Sequence, residues 1–282
     1  MILREAANLP GFAGATGLVG DFSPASVDEG VSLLQQARAE FRRRGIRRLL
    51  GPMNGSTWDA YRCLLPDPDS SSSVPRFPGE PELNAHVATA FQAAGFRLCD
   101  RYESRLTREL SCRPGTRVRE RLVRSGVEIT RPDTLQFRQA LPAIHALTLR
   151  AFATAPHFQP LPLPVFLARL QGEAPPEPGW SWLAYAPHGR LVGYVYSYPW
   201  DGWGQGVILK TMVVANEPAV RGLSAVLTDE LHARAAEQGK QWVIHALMHE
   251  NNGSASISQR YGTTRLRSYG LFEAFLPETD SP

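Results

Sequence analysis

Lysine is absent from residues 1–126, where 18 arginines face 14 acidic residues, and residues 127–282 hold 12 basic against 13 acidic ones. The net charge of the 282 residues is only +3, a balance that gives no electrostatic reason to expect a nucleic-acid partner. Cysteine is nearly as scarce. Cys63, Cys99 and Cys112 have neither a metal-ligand spacing nor the even number of a disulfide framework, and a reducing cytoplasm is the setting this predicts. No apolar run approaches the ~18 residues of a membrane helix. The first residues show no basic stretch followed by an apolar core, so no signal peptide is expected.

With 43% hydrophobic and 20% charged residues, the chain has a globular composition and length for one large domain or two ordinary ones. Val207 to Val214 is apolar and β-branched, as a buried strand requires. Asn216-Glu217-Pro218 breaks it, and Arg221-Gly222-Leu223-Ser224 opens a helix. Leu223, Val226, Leu227, Leu231 and Ala235 fall on one stripe of that helix. A strand that turns into a helix through a Gly and a small Ser leaves backbone N–H donors at the positive end of the helix dipole. Such donors suit a pyrophosphate.

This stretch resembles the acetyl-CoA-binding motif of the GNAT superfamily of acyl-CoA-dependent N-acyltransferases. That motif is a strand ending in valine, a short turn, then Gln/Arg-x-x-Gly-x-Gly/Ala, which lands here on Ala219 to Ser224. Ala219 stands for the usual Gln or Arg and Ser224 for the last Gly or Ala. The resemblance implies a mixed α/β sheet in a GNAT-like acyltransferase fold. It implies acetyl-CoA, or another short acyl-CoA, held by Met212, Val213, Val214, Arg221, Gly222, Leu223, Ser224 and Ala225. The family's second motif is a strand, an Asn, then a helix with Tyr four residues before Gly-Phe. Asn252 fits the Asn and Gly262 the Gly, so Ser258 stands at the Tyr position and Thr263 at the Phe position. The resemblance gives that Tyr the protonation of the departing thiolate, a step for which a Ser hydroxyl is a weak acid. For the general base, His245, His249 and Glu250 lie near the end of the neighbouring strand.

Elsewhere the patterns predict a strand near Gly17–Gly20 with loose flanks, and a helix after Ser26 that closes with Arg42, Arg43, Arg44 and Gly45. A strand at Ile46–Leu50, a helix at Asn84–Ala94 and a long strand from Arg97 follow. Residues 66–81 read as a mobile Pro/Ser-rich loop, and 116–125 as an Arg-rich helix or solvated linker. From Val127 the order is strand, two helices, three strands, helix, strand, helix, strand, which is the element order of one GNAT domain. The first of those helices is expected to break near Pro142.

An internal echo joins the halves. Asn54-Gly55-Ser56 and Asn252-Gly253-Ser254 each follow a short apolar strand, and the helix before Gly95-Phe96 ends as the family's does. The chain therefore divides into a degenerate GNAT-like lobe (1–110), a linker (111–126), a complete acetyl-CoA-binding domain (127–276) and a tail (277–282). The expected activity is N-acetylation of a primary amine on a small molecule or peptide, with His245, Glu250 and Ser258 as catalytic candidates. Two rivals stay open: a non-catalytic acyl-CoA sensor or scaffold, and an aminoacyl-tRNA-dependent transferase favoured by the arginine bias. A membrane partner is not expected.

Overall fold

A computed structural model describes residues 1–10, 12–66, 73–171 and 179–277. Residues 67–72 of the expected loop and 278–282 of the expected tail lie outside the described residues. The chain divides into two units.

Unit one comprises Met1–Glu103, Thr154–Gln159 and Leu266–Pro282. Its strands β1 (Ile2–Ala7) and β2 (Ala15–Gly20) form an antiparallel pair. Helix α1 (Val27–Arg43) carries the chain from β2 to its parallel neighbour β3 (Arg48–Gly51). Gly30, Leu34, Ala37 and Phe41 are the buried face of α1, at helical spacing. Gly30 is needed there, because a Cβ at this position would come within 2.5 Å of the Ala90 Cβ on helix α2 (Ala85–Ala93). The chain's last strand, β11 (Thr264–Phe275), enters this unit at Leu266 and runs antiparallel to β3. It also pairs with the two-residue strand β4 (Cys63–Leu64) and neighbours β5 (Arg97–Thr107). Phe41, Phe91 and Phe272, all fully buried, are at the centre of the core.

Unit two comprises Ser104–Ala153 and Pro160–Arg265. Strands β6 (Glu128–Thr130), β7 (Ser181–Ala186), β8 (Arg190–Trp200) and β9 (Gly206–Val214) are successive antiparallel neighbours. β9 then pairs in parallel with β10 (Trp242–His249). Helices α3 (Thr116–Arg124), α4 (Thr134–Ala151), α5 (Leu163–Gln171), α6 (Leu223–Glu237) and α7 (Gly253–Gln259) complete it. Helix α6 connects the parallel strands, and Leu223, Val226, Leu227, Leu231 and Ala235 are all buried with Trp182, Val207 and Val243.

The expected order from residue 127 onward is the observed one, ending in β11. Two details differ, and a third is decided between the two forms expected. The first 25 residues hold two strands, because β1 is an edge strand that buries only Ala6 and so shows no alternating pattern. Helix α4 continues through Pro142, which is exposed, so water can solvate the carbonyl that loses its N–H donor. The Arg-rich segment is a helix, α3, with Leu122 buried.

Candidate functional site

Strand β9 changes partners along its length. Its ladder with β10 runs from Gly206 and Trp242 to Leu209 and His245, whereas β9 continues to Val214 and β10 to His249. The reason is visible on the other edge of β9. Tyr196 of β8 faces Thr211 and Ser197 faces Leu209, so Lys210 is an extra residue, a β-bulge. A bulge bends its strand and increases local twist. On β10, Leu247 has a left-handed backbone (φ 58) and its N–H donates to the Ser104 hydroxyl at 3.0 Å. Beyond Leu209 and His245, both strands are distorted. Met212, Val213 and Val214 lie on this stretch of β9.

After β9 the chain makes a 3-10 turn at Pro218–Val220 and enters α6 through Gly222. Gly222 is left-handed (φ 84), a conformation that favours glycine, and a Cβ there would stand 2.9 Å from a Val118 methyl on α3. No side chain caps α6 and no acid occupies its first turn. The leading N–H groups of the helix, at Leu223 and Ser224, therefore keep their donor capacity. The Ala225 N–H instead bonds the Gly222 carbonyl at 3.1 Å. Arg121 of α3 donates to the Arg221 carbonyl. Neither Arg121 nor Arg221 has a carboxylate partner among the described residues. Asn252 is the N-cap of α7, its Oδ1 accepting from the Ser254 N–H at 3.4 Å.

His245 and Ser258 are brought together, and Glu250 stands apart. His245 Nδ1 lies 2.9 Å from the Ser258 hydroxyl, and His245 Nε2 lies 2.9 Å from His232 Nε2 on α6. The Ser258 hydroxyl is 3.2 Å from that of Thr263, which accepts from Arg105 Nε at 2.8 Å. Four residues thus carry a polar chain through the core, and His232, His245 and Ser258 are 0%, 2% and 0% exposed. Burial, aided by the Arg105 charge, lowers His245 to about 3. Burial, then His245 and Arg113, holds His232 well below the usual imidazole range. Both rings are therefore neutral at pH 7. Glu250 is exposed at the end of β10, and His249 Nδ1 accepts from the Asn251 N–H at 3.1 Å.

Tyr261, directly before Gly262, is fully buried, and its hydroxyl donates to Asp229 Oδ1 at 2.6 Å. Burial first, then this carboxylate, raises its pKa. Burial also raises Asp229, against its bonds from Tyr261 and from the Gly115 N–H at 2.9 Å. Sequence reasoning missed His232, Thr263 as a hydrogen-bond partner, and the Lys210 bulge. His232 sits on the buried side of α6, and its spacing from Leu231 gave no sign of a partner thirteen residues on.

No family model matches the sequence, and no curated protein does. Solved structures do match. The chain is similar to a GCN5-related glucosamine N-acetyltransferase region of a fungal multi-domain GH3 beta-N-acetylglucosaminidase, with TM-score 0.55 and 16% identity. That likeness covers 96% of this chain and 31% of the other, so the chain spans under a third of that protein. It is similar to a GCN5-related N-acetyltransferase from Sphaerobacter thermophilus, with TM-score 0.55 and 13% identity over 95% of this chain and 75% of that one. A tandem GNAT protein from the clavulanic acid biosynthesis pathway matches with TM-score 0.51 and 14% identity, over 94% and 76%. The bulged strand, the parallel pair across α6 and the uncapped start of that helix belong to a chain whose fold is that of the GCN5-related N-acetyltransferases, the GNAT superfamily.

Proposed function

We propose that this protein transfers an acetyl group from acetyl-CoA to a primary amine of a small molecule or peptide. The observation that carries the reading is the end of the β9–β10 ladder at Leu209 and His245, followed by a glycine-opened, uncapped α6. Acetyl-CoA, when bound, supplies an acyl group already activated as a thioester. The residues present fit it. N–H groups at Leu223 and Ser224 face no acid in the first turn, and the Arg121 and Arg221 guanidinium groups have no carboxylate partner among the described residues. Met212, Val213 and Val214 line the distorted end of β9, where backbone N–H groups would polarise a carbonyl. Asn252, exposed at the start of α7, would hold the pantetheine arm through its amide.

Among the catalytic candidates, Glu250 is the one exposed at the surface, and it is proposed as the base. His245 and Ser258 are proposed to position β10 and α7 rather than to touch the reacting atoms. Both ring nitrogens of His245 already have partners, and Ser258 is fully buried. That same burial favours a second reading, an acyl-CoA-binding protein without turnover. Acetyl-CoA consumption measured with a panel of amines separates the two. Calorimetry with CoA tests the site itself. Gly222→Asp, which puts a side chain and a negative charge at the helix start, is expected to abolish binding in a protein that remains folded. Unchanged affinity would overturn the assignment.

A further inference from the structure

Unit one holds a second cluster of chemically capable side chains, separate from the acyltransferase reading. Cys99 and Asp100 are consecutive on β5, and His157 comes from the segment Thr154–Gln159. The Cys99 sulfur, a carboxylate oxygen of Asp100 and a ring nitrogen of His157 all lie within 4.8 Å of one another. Asp100 and His157 are 8% and 4% exposed. The segment is pinned just after His157: Trp58 Nε1 donates to the Gln159 carbonyl at 2.8 Å, and its ring centroid lies 5.7 Å from that of Phe158. His157 itself has a left-handed backbone (φ 57), which a non-glycine residue keeps only where its surroundings enforce it.

The imidazole is oriented and incomplete. Its Nε2 stands 2.7 Å from Asp100 Oδ2. The carboxylate accepts, so Nε2 carries the proton and Nδ1 of the neutral ring presents a lone pair. That Nδ1 has no hydrogen-bond partner, although the side chain is more than nine-tenths buried. Nε2 is the ring nitrogen beside the Asp100 carboxylate; an ion that takes the place of its proton would send that proton to the partnerless Nδ1 and leave Nε2 as the donor.

We propose that Cys99, Asp100 and His157 form a site for one divalent transition-metal ion of the zinc class. Sulfur, nitrogen and carboxylate oxygen together suit zinc, whereas magnesium and calcium take oxygen alone. The Cys99 thiol now donates to the Leu271 carbonyl at 3.2 Å. On binding, its proton leaves to solvent and the sulfur lone pair goes to the ion. Thiolate and carboxylate then cancel the charge of a divalent ion. The three donors come from two stretches 57 residues apart, so no short ligand motif exists for sequence reading to find.

The test is a titration of the full chain, freed of metal by a chelator, with Co2+ and then Zn2+. One Co2+ per chain, with a thiolate-to-cobalt charge-transfer band that Zn2+ displaces, is the expected result. The band is lost in Cys99→Ser, Co2+ affinity falls at least tenfold in His157→Gln, and both are kept in Cys112→Ser. Where Cys99→Ser does not fold, alkylation of the wild type read by mass spectrometry decides instead: Zn2+ protects Cys99. Folded wild type that takes up no stoichiometric Co2+, a thiolate band that survives Cys99→Ser, or Cys99 alkylated equally with and without Zn2+ would overturn the site.

Discussion

His245 has the residue type of a catalytic base and the surroundings of a structural group. Its neutrality is a stability statement with a definite sign. The folded pKa is about 3 and the ordinary value 6.5, so between these pH values the unfolded chain binds the extra proton. The contribution of His245 is therefore full above about pH 6.5 and is lost as pH falls toward 3, at ~1.4 kcal/mol per pH unit. His232, also held low by burial, steepens the same loss. Urea unfolding at pH 7.0 and pH 5.0 should show a smaller pH effect in His245→Asn than in wild type; equal pH effects would mean that His245 titrates normally. Ser258 belongs to the same chain. Ser258→Ala leaves His245 Nδ1 without its hydroxyl, at a cost of about 1–3 kcal/mol, and should lower the denaturation midpoint. Turnover should fall about tenfold or less, roughly 1.4 kcal/mol of barrier, if Ser258, fully buried, only positions its neighbours as proposed. A drop of several orders of magnitude in the folded variant would make Ser258 an acid or relay. Ser258→Tyr, which the family pattern invites, should destabilise the fold, because a phenol must enter a fully buried space against His245 and Thr263.

Among the elements, α6 links the fold to its proposed cofactor. Gly222 is where it is vulnerable. Gly222→Ala should cost about 1 kcal/mol or more, from the left-handed backbone and the approach to Val118. Val118→Ala removes the contact but not the backbone cost, so the double variant should recover part of the loss in thermal unfolding; strict additivity would mean that Val118 is not the obstacle. This stretch was legible in the sequence because its signals are local: an apolar run, a break, a glycine and a helical stripe. The same holds for α1, whose N-cap Ser26 and last-turn Arg42 and Arg43 appear in the structure. What was not legible depends on partners far along the chain. The bulge at Lys210 exists only relative to β8, β1 buries one residue, and β11 reads as a strand from its own residues, which do not say that β3 and β4 are its partners. Pro142 misled because its lost hydrogen bond faces water.

For the molecule as a whole, the two units repeat one pattern. Each has a strand, a helix and a parallel strand, β2–α1–β3 in one and β9–α6–β10 in the other. Their helix starts differ in a way that bears on ligand choice. Ser26 accepts from the Glu29 N–H at 3.2 Å, Glu29 accepts from the Ala25 N–H at 2.7 Å, and Asp28 adds a second acid to the first turn. The start of α1 is thus capped and negatively charged, which disfavours phosphate. Asn54, the echo of Asn252, uses its amide oxygen on the Asp21 N–H at 2.7 Å and its amide N–H on the Asp21 carboxylate. The start of α6 has neither cap nor acid. The most direct test is amide hydrogen exchange of the full chain with and without acetyl-CoA. Protection should appear at residues 212–225 and 252–254, with none at 20–30 or 52–56. Protection confined to the unit-one segments, or none anywhere at saturating acetyl-CoA, would contradict the assignment of the cofactor to unit two.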